Sequence, residues 1–144
     1  IVLKCQPFGH GLEVIFRHFA VGSFIRRYGA YATEMMPLDN YVEFTIKDDQ
    51  RQDPLITKEA LIALGILDAT QYDILVSQTK KIATLLSDFL ASRGVQLIDL
   101  KLEFGKAPDG RIVLMDEISP GSMRVYLDGK KLEPNTLAEL ILKD

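Results

Sequence analysis

The feature that most constrains this chain is residues 96–124, QLIDLKLEFGKAPDGRIVLMDEISPGSMR. Read as a strand, it alternates cleanly. Ile98, Leu100, Leu102 and Phe104 point one way and Asp99, Lys101 and Glu103 the other, because successive strand side chains face opposite sides. Turn chemistry follows at Lys106-Ala107-Pro108-Asp109-Gly110, then a second apolar run from Ile112 to Leu114. That run ends in Asp116-Glu117 and a Ser119-Pro120-Gly121 turn. The pattern predicts a hairpin with its apolar face on a core and a polar face carrying Asp99, Lys101, Glu103 and Asp116.

A solvated outer face accounts for many alternating strands. Here three charges of mixed sign share one short face, and a carboxylate pair follows at a strand end, an arrangement that equally suits a Mg²⁺-nucleotide site. Magnesium takes hard oxygen ligands from one or two carboxylates plus substrate phosphates. A lysine beside them neutralises phosphate charge.

Length and composition bound the rest. The 144 residues amount to one ordinary domain or one lobe of something larger, and 47% hydrophobic content supports a real core. A net charge of −3 argues against a nucleic-acid partner, which usually meets a basic face. No apolar run approaches the roughly 20 residues that span a bilayer. There is no recognisable signal peptide, and the single cysteine, Cys5, cannot form an internal disulfide. These features point to the cytoplasm and leave homo-oligomerisation open. The sequence opens at Ile1 inside a strand-like run rather than at a Met, so we expect an N-terminal part ahead of it.

Taken in order, residues 1–5 read as a short buried strand and residues 6–11 as a connection. Gly9 and Gly11 lack the full glycine fingerprint of a phosphate loop, and His10 reads as solvated. Residues 12–19 form the next strand, with Val14 and Phe16 on one face and Glu13, Ile15 and Arg17 on the other. An arginine among apolar neighbours is costly to bury unless paired, so Arg17 is either salt-bridged or aimed at an anion. Ser23 is a candidate N-cap for a short helix that stops at Gly29, offering backbone N–H groups and a hydroxyl to an anion; a plain capped helix with Arg26 and Arg27 solvated fits as well. Residues 31–40 read as a loop and 41–46 as a strand with Val42, Phe44 and Ile46 inward. The charged run from Lys47 to Asp53-Pro54 is either solvated or gates a site.

Thr57 predicts a helix through Leu64, stopped at Gly65. A longer helix is predicted over 70–92, capped by Asp68 or Thr70 and ended by Gly94. Its apolar positions Tyr72, Leu75, Ile82, Leu86, Phe89 and Leu90 keep helical spacing and assign it to packing on the sheet. His18 reads as a partly buried strand residue. The tail turns at Gly129 and ends in a helix from Thr136. No repeat, linker, Cys/His metal spacing or nucleophilic triad is visible.

Four blocks, EVIFRHFAVGSFIRRYG, VEFTIKDDQRQDPLI, IDLKLEFG and IVLMDEISP, in that order and spacing, closely resemble the phosphoribosylaminoimidazole-succinocarboxamide synthases, the SAICAR synthetases of purine biosynthesis. The resemblance runs from about Leu12 to Arg124. It implies an α+β fold, an antiparallel-rich sheet packed against helices, as the larger lobe of a two-lobe ATP-binding architecture. Residues 1–144 would then be a single substrate- and ATP-binding lobe, without the family's N-terminal β-rich ATP lobe. It further implies an ATP-dependent ligase that activates the carboxylate of carboxyaminoimidazole ribonucleotide (CAIR) as an acyl phosphate, which the amine of L-aspartate displaces.

By the same resemblance Glu103 and Asp116 match the acidic nucleotide and Mg²⁺ residues, and Lys101 a lysine near phosphate. Arg17, Ser23 and Arg124 match the holders of the ribonucleotide 5′-phosphate, and Asp99 an acid near that substrate. Lys47 and Asp53 match the Lys and Asp-Pro of the loop expected at the reacting carboxylate and the ATP phosphates. Two stretches depart from the family. Gly121-Ser122-Met123-Arg124 lacks the usual acid after Ser-Pro, with Val125-Tyr126 following where a tryptophan region is common. Lys4-Cys5-Gln6 stands where paired lysines are often found. A non-catalytic binding module of the same fold, or a ligase for another acid, remains compatible with these departures.

Overall fold

The computed structural model describes residues 4–115 and 118–142. Its axis is one long strand, Val95–Lys106. In chain order the strands are β1 Gln6–Pro7, β2 Leu12–Phe19, β3 Pro37–Ile46, β4 Leu55–Ile56, β5 Val95–Lys106, β6 Ile112–Leu114, β7 Met123–Leu127 and β8 Lys130–Lys131. The helices are α1 Ser23–Tyr28, α2 Lys58–Ala63, α3 Ala69–Ala91 and α4 Pro134–Leu142. The sheet runs β4-β3-β2-β5-β7-β8, with β1 and β6 flanking the far end of β5, and every pairing is antiparallel. This is the expected α+β arrangement.

One sheet face is apolar. Val14, Phe16, Phe44, Leu100, Leu102 and Phe104 meet Leu75, Ala83 and Leu90 of α3, with Leu61 of α2 and Leu137 of α4 in the same core. The long helix starts where predicted because Asp68 accepts from Gln71 N at 2.8 Å while the Gln71 side chain accepts from Asp68 N, a reciprocal cap. Thr57 caps α2 one-sidedly, its Oγ1 accepting from Ala60 N at 3.1 Å.

Five expectations need correction. Ile98 is buried but lies outside the main core cluster. The β5–β7 register jumps from Leu97↔Val125 to Asp99↔Arg124, so Ile98 is the extra residue of a bulge. The bulge resets the alternation, which lets Val95 and Leu97 share the core with Leu100 and Leu102. The predicted loop over 31–40 ends early: β3 begins at Pro37, with Asn40 at φ 48° absorbing the irregular register against β2. Lys4 and Cys5 are not strand, whereas Gln6–Pro7, expected as a connection, pairs with Gly105 and Lys106. Phe89 is 40% exposed rather than packed, stacked under the Arg93 guanidinium. Finally, α4 starts at Pro134, two residues before the predicted Thr136, because proline suits the first helical turn.

Candidate functional site

The opposite sheet face carries the polar side chains in register. Glu13 of β2 lies between Thr45 of β3 and Glu103 of β5, Ile15 between Glu43 and Lys101, and Arg17 between Tyr41 and Asp99; Arg124 of β7 lies beside Asp99. They form the floor of a continuous polar groove. One part, about 330 Å³, runs over Arg17, Ser23, Asp53, Asp99, Lys101 and Arg124. A second, about 370 Å³, reaches Lys47, Lys101 and Glu103, and Glu13 lines both.

At one end Arg17 is a buried hub, 2% exposed. Its Nη1 donates to Asp99 Oδ2 at 3.1 Å and to the Val21 carbonyl at 3.1 Å; its Nη2 donates to Ser23 Oγ at 2.7 Å and to Glu43 Oε2 at 3.3 Å. Asp99 also faces Arg124 Nη1 at 3.5 Å. Burial pushes the Asp99 carboxyl above its ordinary range, against the pull of Arg124 and Arg17. The nearby Tyr41 hydroxyl is pushed up to about 12, by burial first and by the Glu43 charge second.

Ser23 is not the N-cap of α1. Gly22 holds that position at φ 57°, ψ −127°, and no side chain caps the helix. The Ser23 hydroxyl serves the two arginines Arg17 and Arg27 instead. Gly22 is required here: a Cβ would strike the Arg124 guanidinium, and the backbone lies in a region that side chains avoid. Gly29 ends the helix in ordinary right-handed geometry rather than as a left-handed stop.

At the other end lysines and carboxylates alternate. Lys101 Nζ lies 3.3 Å from Glu13 Oε2, and Lys47 Nζ lies 2.5 Å from Glu103 Oε1. Like charges directly across a strand pair repel, so the cross-strand Glu13–Glu103 pair depends on these two cations. Both lysine side chains remain about half exposed to the groove, 47% for Lys47 and 55% for Lys101. Thr45 Oγ1 donates to Glu13 Oε1 at 3.5 Å.

The loop from Lys47 to Asp53 is built on itself. Asp53 Oδ1 accepts from Asp48 N at 2.7 Å, and Asp48 caps a 3-10 turn over Asp49–Arg51. Gln52 and Asp53 both hold left-handed φ, 59° and 47°. That strain presents Asp53 at the groove wall.

All eight described residues expected at the site therefore converge: Arg17, Ser23, Lys47, Asp53, Asp99, Lys101, Glu103 and Arg124. Asp116, the ninth, lies outside the described residues. Sequence reasoning did not single out Glu13, Glu43, Thr45 or Arg26. The signal was present for the first three, since pairing β2 with β3 in register puts them on the face of Arg17. Arg26 is exposed on α1, lines the groove and makes no ion pair among the described residues. Gly121 also lines it, and a side chain there would meet nothing closer than Ser119 Oγ at 3.8 Å, so the glycine is not demanded by crowding.

Among the described residues no three His, Cys, Asp or Glu side chains converge as a preformed metal centre. A Mg²⁺ ion delivered with a nucleotide needs only one or two protein carboxylates. Glu103, facing the groove beside two lysines, fits that requirement.

A family model described as SAICAR synthetase matches residues 1–138. A phosphoribosylaminoimidazole-succinocarboxamide synthase of Clostridium tetani (strain Massachusetts / E88) is 56% identical over 145 residues, covering 98% of this chain and 64% of that protein. Its namesake from Thermotoga maritima is 41% identical over 130 residues, covering 90% of this chain and 54% of the relative. Among solved structures, a SAICAR synthetase (Type-2) in complex with ADP superposes with a TM-score of 0.81 at 32% identity, covering 95% of this chain and 57% of that one. The SAICAR synthetase (Type-1) of Pyrococcus horikoshii OT3 gives 0.78 at 32% identity, covering 99% and 60%. The chain thus spans between about half and two thirds of the length of these proteins.

Proposed function

Because the chain belongs to the SAICAR synthetase family, we propose that its groove serves an ATP-dependent ligase joining L-aspartate to CAIR, with SAICAR, ADP and phosphate as products. We take residues 1–144 as one substrate-binding lobe of a two-lobe ATP-binding fold. The observation that carries this reading is the convergence of eight side chains, scattered from Arg17 to Arg124 in sequence, on one groove. Two clusters divide its length: an arginine-serine end and a lysine-carboxylate end.

The chemistry suits such a division. A carboxylate is a poor electrophile, and phosphorylation supplies its leaving group. The γ-phosphoryl of ATP passes to a carboxylate oxygen of CAIR and releases ADP. The amine of L-aspartate then attacks the acyl carbon; a C–N bond forms, the C–O bond to phosphate breaks, and the nitrogen loses a proton. Ser23 and Arg124, with Arg17 behind them, hold the 5′-phosphate. Lys101 and Lys47 face the ATP phosphates, where positive charge in a sheltered groove offsets what develops during transfer. Asp99 orients the ribonucleotide, and Asp53 shapes the wall near the reacting carboxylate. Glu103, joined by Asp116, would hold Mg²⁺, which supplies further neutralisation of phosphate charge when bound.

The test is Lys101→Met in the longest form of the protein that carries this chain. A loss in kcat on the order of 100-fold is expected, the cost of one charge-stabilising group. An unaltered kcat would remove Lys101 from the phosphate-transfer end.

A further inference from the structure

Ser23 accepts from two guanidiniums. Arg17 Nη2 donates to its Oγ at 2.7 Å and Arg27 Nη2 at 3.4 Å. A hydroxyl has two lone pairs and one proton. With both lone pairs engaged, what Ser23 has left to offer the groove it lines is its O–H. Such a group favours an acceptor oxygen and disfavours a donor.

The arrangement is held from beneath. Glu43 is 4% exposed, and its Oε2 accepts from both Arg17, at 3.3 Å, and Arg27. These are the same two guanidinium nitrogens that reach Ser23. One buried carboxylate therefore fixes both donors on one hydroxyl. Its other oxygen, Oε1, is buried with no hydrogen-bond partner among the described residues. The Tyr41 hydroxyl also lies against this carboxylate, and a buried charge shared by two guanidiniums is an expensive way to secure a six-residue helix.

We propose that Glu43, acting with Arg27, is a positioning residue: it locks the Ser23 hydroxyl as a hydrogen-bond donor toward the 5′-phosphate of the ribonucleotide. The inference rests on the ribonucleotide reading above and adds to it two residues that touch no ligand. Glu43 works by controlling the polarity of Ser23.

The experiment measures steady-state kinetics of the longest form of the protein with CAIR and with the corresponding nucleoside lacking the 5′-phosphate. Glu43→Gln is expected to raise KM for CAIR about tenfold, the loss of one charge-assisted hydrogen bond. KM for Mg-ATP and for the nucleoside should hold, and Glu43→Asp should recover part of the loss. A melting temperature lowered with KM for CAIR unmoved would overturn the proposal, as would an equal rise for CAIR and the nucleoside. If Glu43→Gln fails to fold, Arg27→Gln decides, because its side chain is 26% exposed; an unchanged KM for CAIR there overturns the proposal. A wild-type protein that does not distinguish CAIR from its nucleoside would overturn the ribonucleotide reading itself, and this inference with it.

Discussion

At the scale of single residues, Arg17 shows how the fold refines a reading. From sequence it is either an ion-pair partner or an anion ligand. In the structure it is first a partner, since its guanidinium reaches Asp99, Glu43, Ser23 and the Val21 carbonyl. Removing one member of a buried pair strands the other charges, at about 3–5 kcal/mol. Arg17→Met should therefore unfold at markedly lower denaturant in addition to binding ribonucleotide weakly. A variant of wild-type stability with only a higher KM would contradict this account. His18 carries a second prediction. Burial holds its imidazole below the ordinary histidine value, and its buried Nε2 has no partner among the described residues. The unfolded chain takes up this proton near pH 6.5, the folded chain only at lower pH. The unfolded state thus binds more protons in that window, and stability falls as pH drops from about 6.5 toward the folded value. Thermal melts of His18→Gln across this range should show a flatter acid slope than the wild type; an identical slope would exclude His18 as its source.

At the scale of elements, the two devices that shape the groove are a bulge and a glycine. The bulge at Ile98 keeps Asp99, Lys101 and Glu103 on the groove while Val95 and Leu97 stay in the core. Gly22 lets α1 begin within reach of the Arg124 guanidinium. Gly22→Ala should cost about 1–3 kcal/mol, the range for a side chain held in forbidden backbone, and should displace Arg124. Chemical denaturation with a CAIR titration checks both effects, and a variant that matches wild type in each would show the close approach to be dispensable. The helices were legible because Thr57, Asp68 and Gly94 are strong local signals at helix ends. The polar face of β5 was legible from simple alternation. The bulge was not, since a pure period of two cannot record an inserted residue. Nor was the early start of β3 at Pro37, because proline and a left-handed Asn40 imitate a loop. The Ser23 cap fails for a related reason: a serine after glycine has local capping chemistry, but Arg17 of β2 and Arg27 one turn along the same helix take up its hydroxyl.

At the scale of the whole molecule, a single antiparallel sheet separates packing from chemistry. One face holds α2 and α3 through an apolar core, and the other collects charges from β2, β3, β5 and β7. Each of the four sequence blocks resembling SAICAR synthetases contributes to that second face, through Arg17 and Ser23, Lys47 and Asp53, Asp99, Lys101 and Glu103, and Ser119, so family membership and geometry support the same reading. Glu13 and Glu43 do not stand out as site residues in the sequence because their importance depends on cross-strand register rather than on any motif. The most direct test of the central claim is ADP release by the longest form of the protein with Mg-ATP, CAIR and L-aspartate, each omitted in turn. The account predicts sustained release only when all three are present. Release unaffected by leaving out CAIR, or none with all three present, would contradict it.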